Sequence, residues 1–436
     1  ERSGDDAAMS GALQVQCLIA VSNDLARADA LAEASWRHAV ASGDGMARGV
    51  AAGARFRVIE ASGDLRRLLE VQREQAEWEF SQGQVLVPSC DLTCIYLDLG
   101  DLRGAESSVR RGLTGTGVQH EEAEIRIFAA LLASRHGDDP AARQHLARAR
   151  EVLPSFEDQP RSVRGRHVAD LFMSLGEAGK AFDLVDRSLP EFSTNLFLLD
   201  ALLVRGARAA AELVQQAADR RDQDAVRRHR KALDGLVARR GELSDGPAFR
   251  PSNPADSQQV ANGALFAAAA ARARGVQSSS LWLEAADACA AAGMEWDQRS
   301  AQLRAAELLV ESGAPGHDVA KLLREVLAYA DRQGAVPLTR RVEELASSAR
   351  VSLTEPVTAR PDAVPAPFAG LTAREAEVLA HLVANRTYAE IAAALFISEK
   401  TVSVHVSNLL RKTGTRSGRE VSALARRVGF VATAGE

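Results

Sequence analysis

A glycine followed by an acidic residue recurs along the first half of the chain at a nearly fixed interval. Gly63, Gly100, Gly137 and Gly176 stand 37, 37 and 39 residues apart, and apolar residues recur at helical spacing around each of them. Glycine tolerates the left-handed backbone that ends a helix, and a negative charge favours the start of the next helix. The repeat therefore predicts helical hairpins stacked into a solenoid.

A small residue follows three of these glycines at the same distance, as Ala105, Ala142 and Ala181. It would let the two helices of a hairpin approach closely, and the units resemble tetratricopeptide repeats, although their period exceeds the ideal of about 34 residues. An antiparallel helical bundle would also place glycine between helices. Ala, Leu, Arg and Glu dominate, and strand-type alternation is missing, so we predict an all-α fold.

Two stretches rich in helix-breaking residues divide the chain. Residues 241–258 are predicted to be a loop or linker. Residues 354–370 contain four prolines and are predicted to form a semi-rigid extended linker. The tetratricopeptide-like helical repeats are therefore expected at residues 1–240, with further helical repeats at 259–353.

Composition excludes several classes of protein. No apolar run approaches the roughly 18 residues of a membrane-spanning helix, and the N-terminus has no signal-peptide pattern, so a cytoplasmic protein without membrane association is expected. Cys90 and Cys94 lack the further ligands of a zinc site, so no metal is expected. These two cysteines are expected to be buried thiols. The chain has too few cysteines, and too scattered, for a disulfide scaffold: Cys17, Cys90, Cys94 and Cys289.

The C-terminal residues are more basic than the rest of the chain. Residues 370–436 contain nine Lys or Arg and six Asp or Glu, a net charge of +3, whereas the remainder carries −8. A basic module on an acidic body is a weak indication of nucleic-acid binding.

Helix-start signals are frequent in residues 371–430. Thr372, Thr387 and Ser417 each precede a glutamate by three residues, which is the capping-box pattern, and Ser398 is a further N-cap candidate. A short helix, a brief turn and a second helix indicate a helix-turn-helix motif at about 387–406. The predicted helices cover about 373–384, 388–395, 399–412 and 418–428.

One face of the third predicted helix is apolar and suits a core. The opposite face has cations at its ends and small groups at its centre, which would let the helix lie deep in the major groove of B-DNA. That face consists of Lys400, Val404, Ser407 and Arg411.

The segment LTAREAEVLAHLVANRTYAEIAAALFISEKTVSVHVSNLLRKTGTRS closely resembles the DNA-binding domain of the LuxR family. The resemblance implies a four-helix helix-turn-helix domain at residues 371–430, with the third helix as the recognition helix. It implies that Ser403, Val404 and Ser407 face the bases. The residues that would contact the DNA backbone are Lys400, Thr401, Asn408, Arg411 and Lys412.

The last predicted helix places four apolar residues on one face: Val421, Leu424, Ala425 and Val428. This face could pack onto the first helix of the domain, or, as the family implies, contact a second copy. A two-fold dimer would read an inverted repeat with half-sites about one helical turn apart. RNA polymerase is a further partner that the resemblance implies.

The whole layout resembles the C-terminal half of the large ATP-binding LuxR-type regulators. The chain contains no P-loop pattern, so neither ATP nor another cofactor is expected to bind in that way. Because the sequence begins with Glu1, we expect that it lacks the nucleotide-binding module by truncation.

These observations predict a sequence-specific DNA-binding transcription regulator rather than an enzyme. The helical body would bind an unknown effector or protein partner on its concave surface and control the DNA-binding domain. One alternative is a helical-repeat scaffold for protein interactions with a vestigial DNA-binding domain. Another is a fragment of an ATPase-coupled regulator.

Overall fold

The structure, a computed structural model, forms two compact units, Glu1–Leu353 and Thr354–Glu436, which we call the helical body and the C-terminal unit. The body ends where the predicted proline-rich linker begins. The residues that the structure describes are 2–21, 23–154, 165–189, 196–244, 257–314, 316–353, 368, 371–384, 386–395 and 397–427.

All regular structure in the described residues is helical, as predicted. The described part of the body forms seventeen helices: α1 Arg2–Ala20, α2 Leu25–Ser42, α3 Gly45–Ser62, α4 Leu65–Ser81, α5 Leu86–Leu99, α6 Leu102–Gly112, α7 Gln119–Arg135, α8 Asp139–Val152, α9 Gly165–Ser174, α10 Ala178–Ser188, α11 Leu196–Asp219, α12 Gln223–Ser244, α13 Ser257–Ala273, α14 Ser279–Ala292, α15 Glu295–Glu311, α16 Gly316–Gln333 and α17 Val336–Ala349. The predicted linkers at 241–258 and 354–370 lie mostly outside the described residues, although residues 241–244 continue α12.

The recurring glycines end the first helices of successive hairpins, as predicted. The backbone of Gly63, Gly100, Gly137 and Gly176 is left-handed, with φ between 70° and 82°. The aspartates after the first three glycines cap the next helix, and each accepts a backbone N–H at 3.0 Å. Glu177 makes no such cap, because its longer side chain instead accepts hydrogen bonds from Arg143 and Lys180.

The predicted alanines allow the helices of each hairpin to pack closely. Ala105, Ala142 and Ala181 are fully buried, and they belong to one apolar core that extends from Ile59 to Ala346. Removing such a run of apolar side chains from water provides the main stabilisation of a stacked-repeat fold.

The last repeats of the body pack back against the turn between α5 and α6. The hydroxyl of Tyr329 on α16 donates to the carbonyl oxygen of Gly100 at 2.7 Å. A Cβ atom on Gly100 would lie 2.4 Å from the backbone nitrogen of Trp296 on α15. Gly100 therefore serves both the helix end and a close approach between distant repeats.

Buried ion pairs connect the inner helices. The carboxylate of Asp98 lies 2.6 Å from the guanidinium of Arg166, and the carboxylate of Asp170 lies 3.1 Å from the guanidinium of Arg205. Burial opposes ionisation of Asp98, but Arg166 and His167 hold its pKa well below the usual range. Leaving any of these charges unpaired would be costly, so the pairs fix the register of the helices.

Cys94, Asp98 and His167 lie close enough together to suggest a metal site. The Nη2 atom of Arg166 lies 2.6 Å from Asp98 Oδ2 and 3.0 Å from Cys94 Sγ. The guanidinium thus supplies the positive charge that a metal ion would bring. All four cysteines are buried, as predicted for Cys90 and Cys94.

The C-terminal unit contains four helices in its described residues: α18 Ala373–Val383, α19 Tyr388–Ala394, α20 Glu399–Thr413 and α21 Gly418–Arg427. Their ends agree with the predicted bounds to within one residue. They enclose a separate apolar core around Val378, Ile391, Val402 and Leu409. No helix among the described residues of either unit is long and apolar enough to cross a membrane.

The buried His167 predicts a pH dependence of body stability. Burial, reinforced by the neighbouring Arg166, lowers the pKa of His167 from 6.5 to about 4. In the unfolded chain the imidazole of His167 therefore binds a proton as the pH falls below about 6.5. In the folded body the same imidazole stays neutral until about pH 4. The free energy of unfolding should fall across this range by up to about 3 kcal/mol.

Urea unfolding of the body at a series of pH values measures this effect. His167→Gln should flatten the dependence of the midpoint on pH, whereas His317→Gln, at an exposed position on α16, should leave it unchanged. An equally steep dependence in the His167 variant would contradict the assignment.

Candidate nucleic-acid interface

Local capping fixes the turn between α19 and α20. Thr387 and Glu390 form the predicted capping box at the start of α19. The hydroxyl of Ser398 caps α20 by accepting the N–H of Thr401 at 3.1 Å. The N–H of Ile397 donates to the carbonyl oxygen of Ala392 at 3.0 Å, which closes the turn. The two helices therefore have the predicted helix-turn-helix arrangement.

Two residues of α18 hold this pair of helices in place. Arg374 donates to the carbonyl oxygen of Leu395 at the end of α19, at 2.5 Å. Glu375 completes the capping box of α18 with Thr372. Its carboxylate also accepts a hydrogen bond from the ammonium of Lys412 on α20 at 2.6 Å. α18 thus braces both helices of the motif from one side.

The electrostatics of Glu375 follow from these contacts. Its side chain is buried, and burial alone would raise its pKa. Hydrogen bonds from Lys412 and from the backbone N–H of Thr372 outweigh burial and lower the pKa of Glu375. The carboxylate therefore stays ionised and attracts Lys412 at neutral pH.

The outward face of α20 carries the predicted stripe. Lys400, Val404, Ser407 and Arg411 are all exposed, as is Ser403 beside them. Val404 is 55 % exposed. Val402, Val406 and Leu409 on the opposite face are buried.

Two serines on this face are available for new contacts. The hydroxyl of Ser407 donates to the carbonyl oxygen of Ser403 at 2.9 Å. This bond is local to the helix, and rotation about one side-chain bond would turn the hydroxyl outward. Thr401 and Asn408 are half-buried at the sides of the stripe.

Lys412 is placed differently from the other predicted backbone contacts. Its ammonium is bonded to Glu375, as described above, whereas Lys400 and Arg411 extend from the exposed face. The role of Lys412 in holding α20 against α18 was missed, because its partner lies 37 residues away in the sequence. The role of Arg374 was missed for the same reason.

The last helix packs inside the unit. Val421 and Ala425 are fully buried in the core, and Leu424 is half-buried against it. The interpretation as packing onto the first helix of the domain therefore describes Val421 and Ala425. Neither side chain reaches the surface of the unit, and their use as a contact with a second copy stays a prediction. Val428 lies outside the described residues.

Comparison with known proteins identifies this unit. The family described as bacterial regulatory proteins of the luxR family matches residues 369–425. The spore germination protein GerE of Bacillus subtilis is 46 % identical over 59 residues, which make up 14 % of this chain and 80 % of GerE. The chain belongs to the luxR family of bacterial regulatory proteins.

Other luxR-type relatives are matched over shorter shares of their length. The uncharacterized transcriptional regulatory protein YhcZ of Bacillus subtilis is 62 % identical over 42 residues, which are 10 % of this chain and 20 % of YhcZ. The nitrate/nitrite response regulator protein NarP of Escherichia coli is 38 % identical over 109 residues, which are 25 % of this chain and 48 % of NarP. This luxR-family chain therefore spans about a fifth of YhcZ and about half of NarP.

The ion pair between Lys412 and Glu375 predicts a structural effect that Arg411 does not share. Lys412→Met leaves the buried Glu375 without its cationic partner, and should destabilise α20 by about 1–2 kcal/mol. Hydrogen exchange of the α20 amides, measured by mass spectrometry on the full chain, should become roughly 5- to 30-fold faster.

Arg411→Met is the matched control for this variant. Its side chain is exposed on the same helix, so the free energy of opening that governs exchange should change by less than about 0.5 kcal/mol. Equal protection in the Lys412 variant and the natural chain would show that the ion pair does not support α20.

Proposed function

We propose that this protein is a DNA-binding transcription regulator that inserts α20 into the major groove of duplex DNA. The observation that carries the proposal is the exposed stripe on α20, in which an apolar side chain lies between two serines and cations lie at both ends. An α-helix fits the major groove, and base edges there offer hydrogen-bond partners and the thymine methyl group.

The stripe suggests how the contacts are divided. Ser403 and Ser407 would hydrogen-bond to base edges, and Val404 would contact a thymine methyl group. The backbone contacts would come from Lys400, Thr401, Asn408 and Arg411, with Lys412 shared between a phosphate and Glu375. Phosphate contacts set affinity and its dependence on salt, whereas base contacts set specificity.

We further propose that two copies bind an inverted repeat as a homodimer. Among the described residues of the predicted dimer face, Val421 and Ala425 are buried and Leu424 is partly accessible. RNA polymerase would be the partner through which the bound dimer acts. The helical body would bind an effector or protein partner and control the DNA-binding unit.

A charge placed on the stripe tests the major-groove proposal. Val404→Glu puts a carboxylate where the bases and phosphates would approach, and should weaken specific binding at least tenfold, by about 1.4 kcal/mol or more. Fluorescence anisotropy with a labelled duplex selected by the full chain, at a fixed salt concentration, measures the effect.

Val260→Glu is the matched control, because Val260 is a helical valine of similar exposure in the body: 51 % against 55 % for Val404. This control variant should bind DNA like the natural chain. Unchanged specific binding by the Val404 variant would contradict the assignment of α20 as the recognition helix.

A further inference from the structure

A cleft of about 610 Å³ lies between α3 and α4 of the helical body. Its volume falls in the range of about 300–1,000 Å³ that is common for small-molecule sites. Gly45 and Gly49 line it from α3, and Gln75, Trp78 and Glu79 line it from α4.

Glycines keep one face of α3 bare. Gly45, Gly49 and Gly53 follow one another at four-residue spacing and therefore share a face. A Cβ atom on Gly49 would meet no atom of this chain within 4 Å, so internal packing does not require glycine there. Glycine weakens a helix interior, so keeping this position bare has a cost in stability.

Two hydrogen-bond acceptors of the cleft residues have no donor. Gln75 is only 2 % exposed, and its Nε2 atom donates to Glu79 Oε1 at 2.9 Å. That bond leaves Gln75 Oε1 and Glu79 Oε2 buried without a partner. Buried acceptors without donors are rare in folded proteins and call for an explanation.

Nearby charges only partly compensate the negative charge of the Glu79 carboxylate. The guanidinium of Arg48 lies between the rings of Trp36 and Trp78, at 4.7 and 4.9 Å from their centres. Burial, with Asp91 adding to it, still raises the pKa of Glu79 despite the hydrogen bond from Gln75 and the charge of Arg48. The positive charge of Arg48 therefore offsets the burial of this carboxylate only in part.

We propose that the cleft binds a small organic cation with at least two N–H donors, such as an alkylguanidinium or a primary alkylammonium. Its N–H groups supply the donors that Gln75 Oε1 and Glu79 Oε2 lack, and its charge compensates the carboxylate. Its alkyl part lies against the bare face of α3 and the indole of Trp78. The binding rests on the cleft alone, and only its role as the effector site of the body rests on the proposed function.

Titration calorimetry of the full chain with n-butylguanidinium chloride, without DNA, tests the proposal. The natural chain should bind one equivalent saturably. Gly49→Leu should weaken binding at least tenfold, because the new side chain fills the cleft. Gly53→Leu is the matched control: a Cβ atom there also meets nothing within 4 Å, but Gly53 does not line the cleft, so binding should persist.

The charge requirement is tested separately. Glu79→Gln keeps the shape of the side chain and should also weaken binding at least tenfold. The neutral analogue n-butylurea keeps N–H donors on the same alkyl chain and should bind at least tenfold more weakly than the cation. Equal binding by the two leucine variants, or equal binding of the urea and the cation, would overturn the proposal. Because DNA is left out, a failure of the DNA-binding proposal would not alter these readouts.

Discussion

The fold of the helical body depends on one backbone event that is repeated along the chain. In four hairpins the first helix ends at a glycine with positive φ, and the residue after that glycine immediately precedes the second helix. At Gly63, Gly100 and Gly137 this next residue is an aspartate that caps the new helix directly. The turn sets the direction of the second helix, and the small alanines then let the two helices touch. Stacking of these hairpins creates the continuous apolar core, on which the buried ion pairs and the return contact of Tyr329 depend.

Local features of the structure could be predicted, because each depends on residues a few positions apart. The glycine turns, the capping boxes at Thr372 and Thr387 and the limits of the four C-terminal helices are of this kind. Contacts between distant residues could not be predicted from their spacing. The bond from Tyr329 to Gly100 joins residues 229 positions apart, and nothing near either residue indicates the other.

Helices α20 and α21 show what the periodic spacing of apolar residues can and cannot predict. On α20 the apolar and polar positions separate cleanly, so the exposed stripe could be predicted, although the ion pair of Lys412 with Glu375 could not. On α21 the spacing of Val421, Leu424 and Ala425 is the same for a helix that packs in its own domain and for one that meets a second copy. Val421 and Ala425 are buried in the core of their own unit, and the contact with a second copy stays a prediction.

Selection from a random duplex library tests whether the C-terminal unit recognises a specific DNA sequence. The full chain and residues 365–436, which contain the separate core of the C-terminal unit, would be selected side by side at one stated salt concentration. We expect at least the C-terminal unit to enrich an inverted repeat with half-sites about one helical turn apart. Enrichment by the short chain alone would mean that the body restrains the DNA-binding unit. Failure of both chains to enrich any sequence would contradict the account and favour a scaffold built from helical repeats.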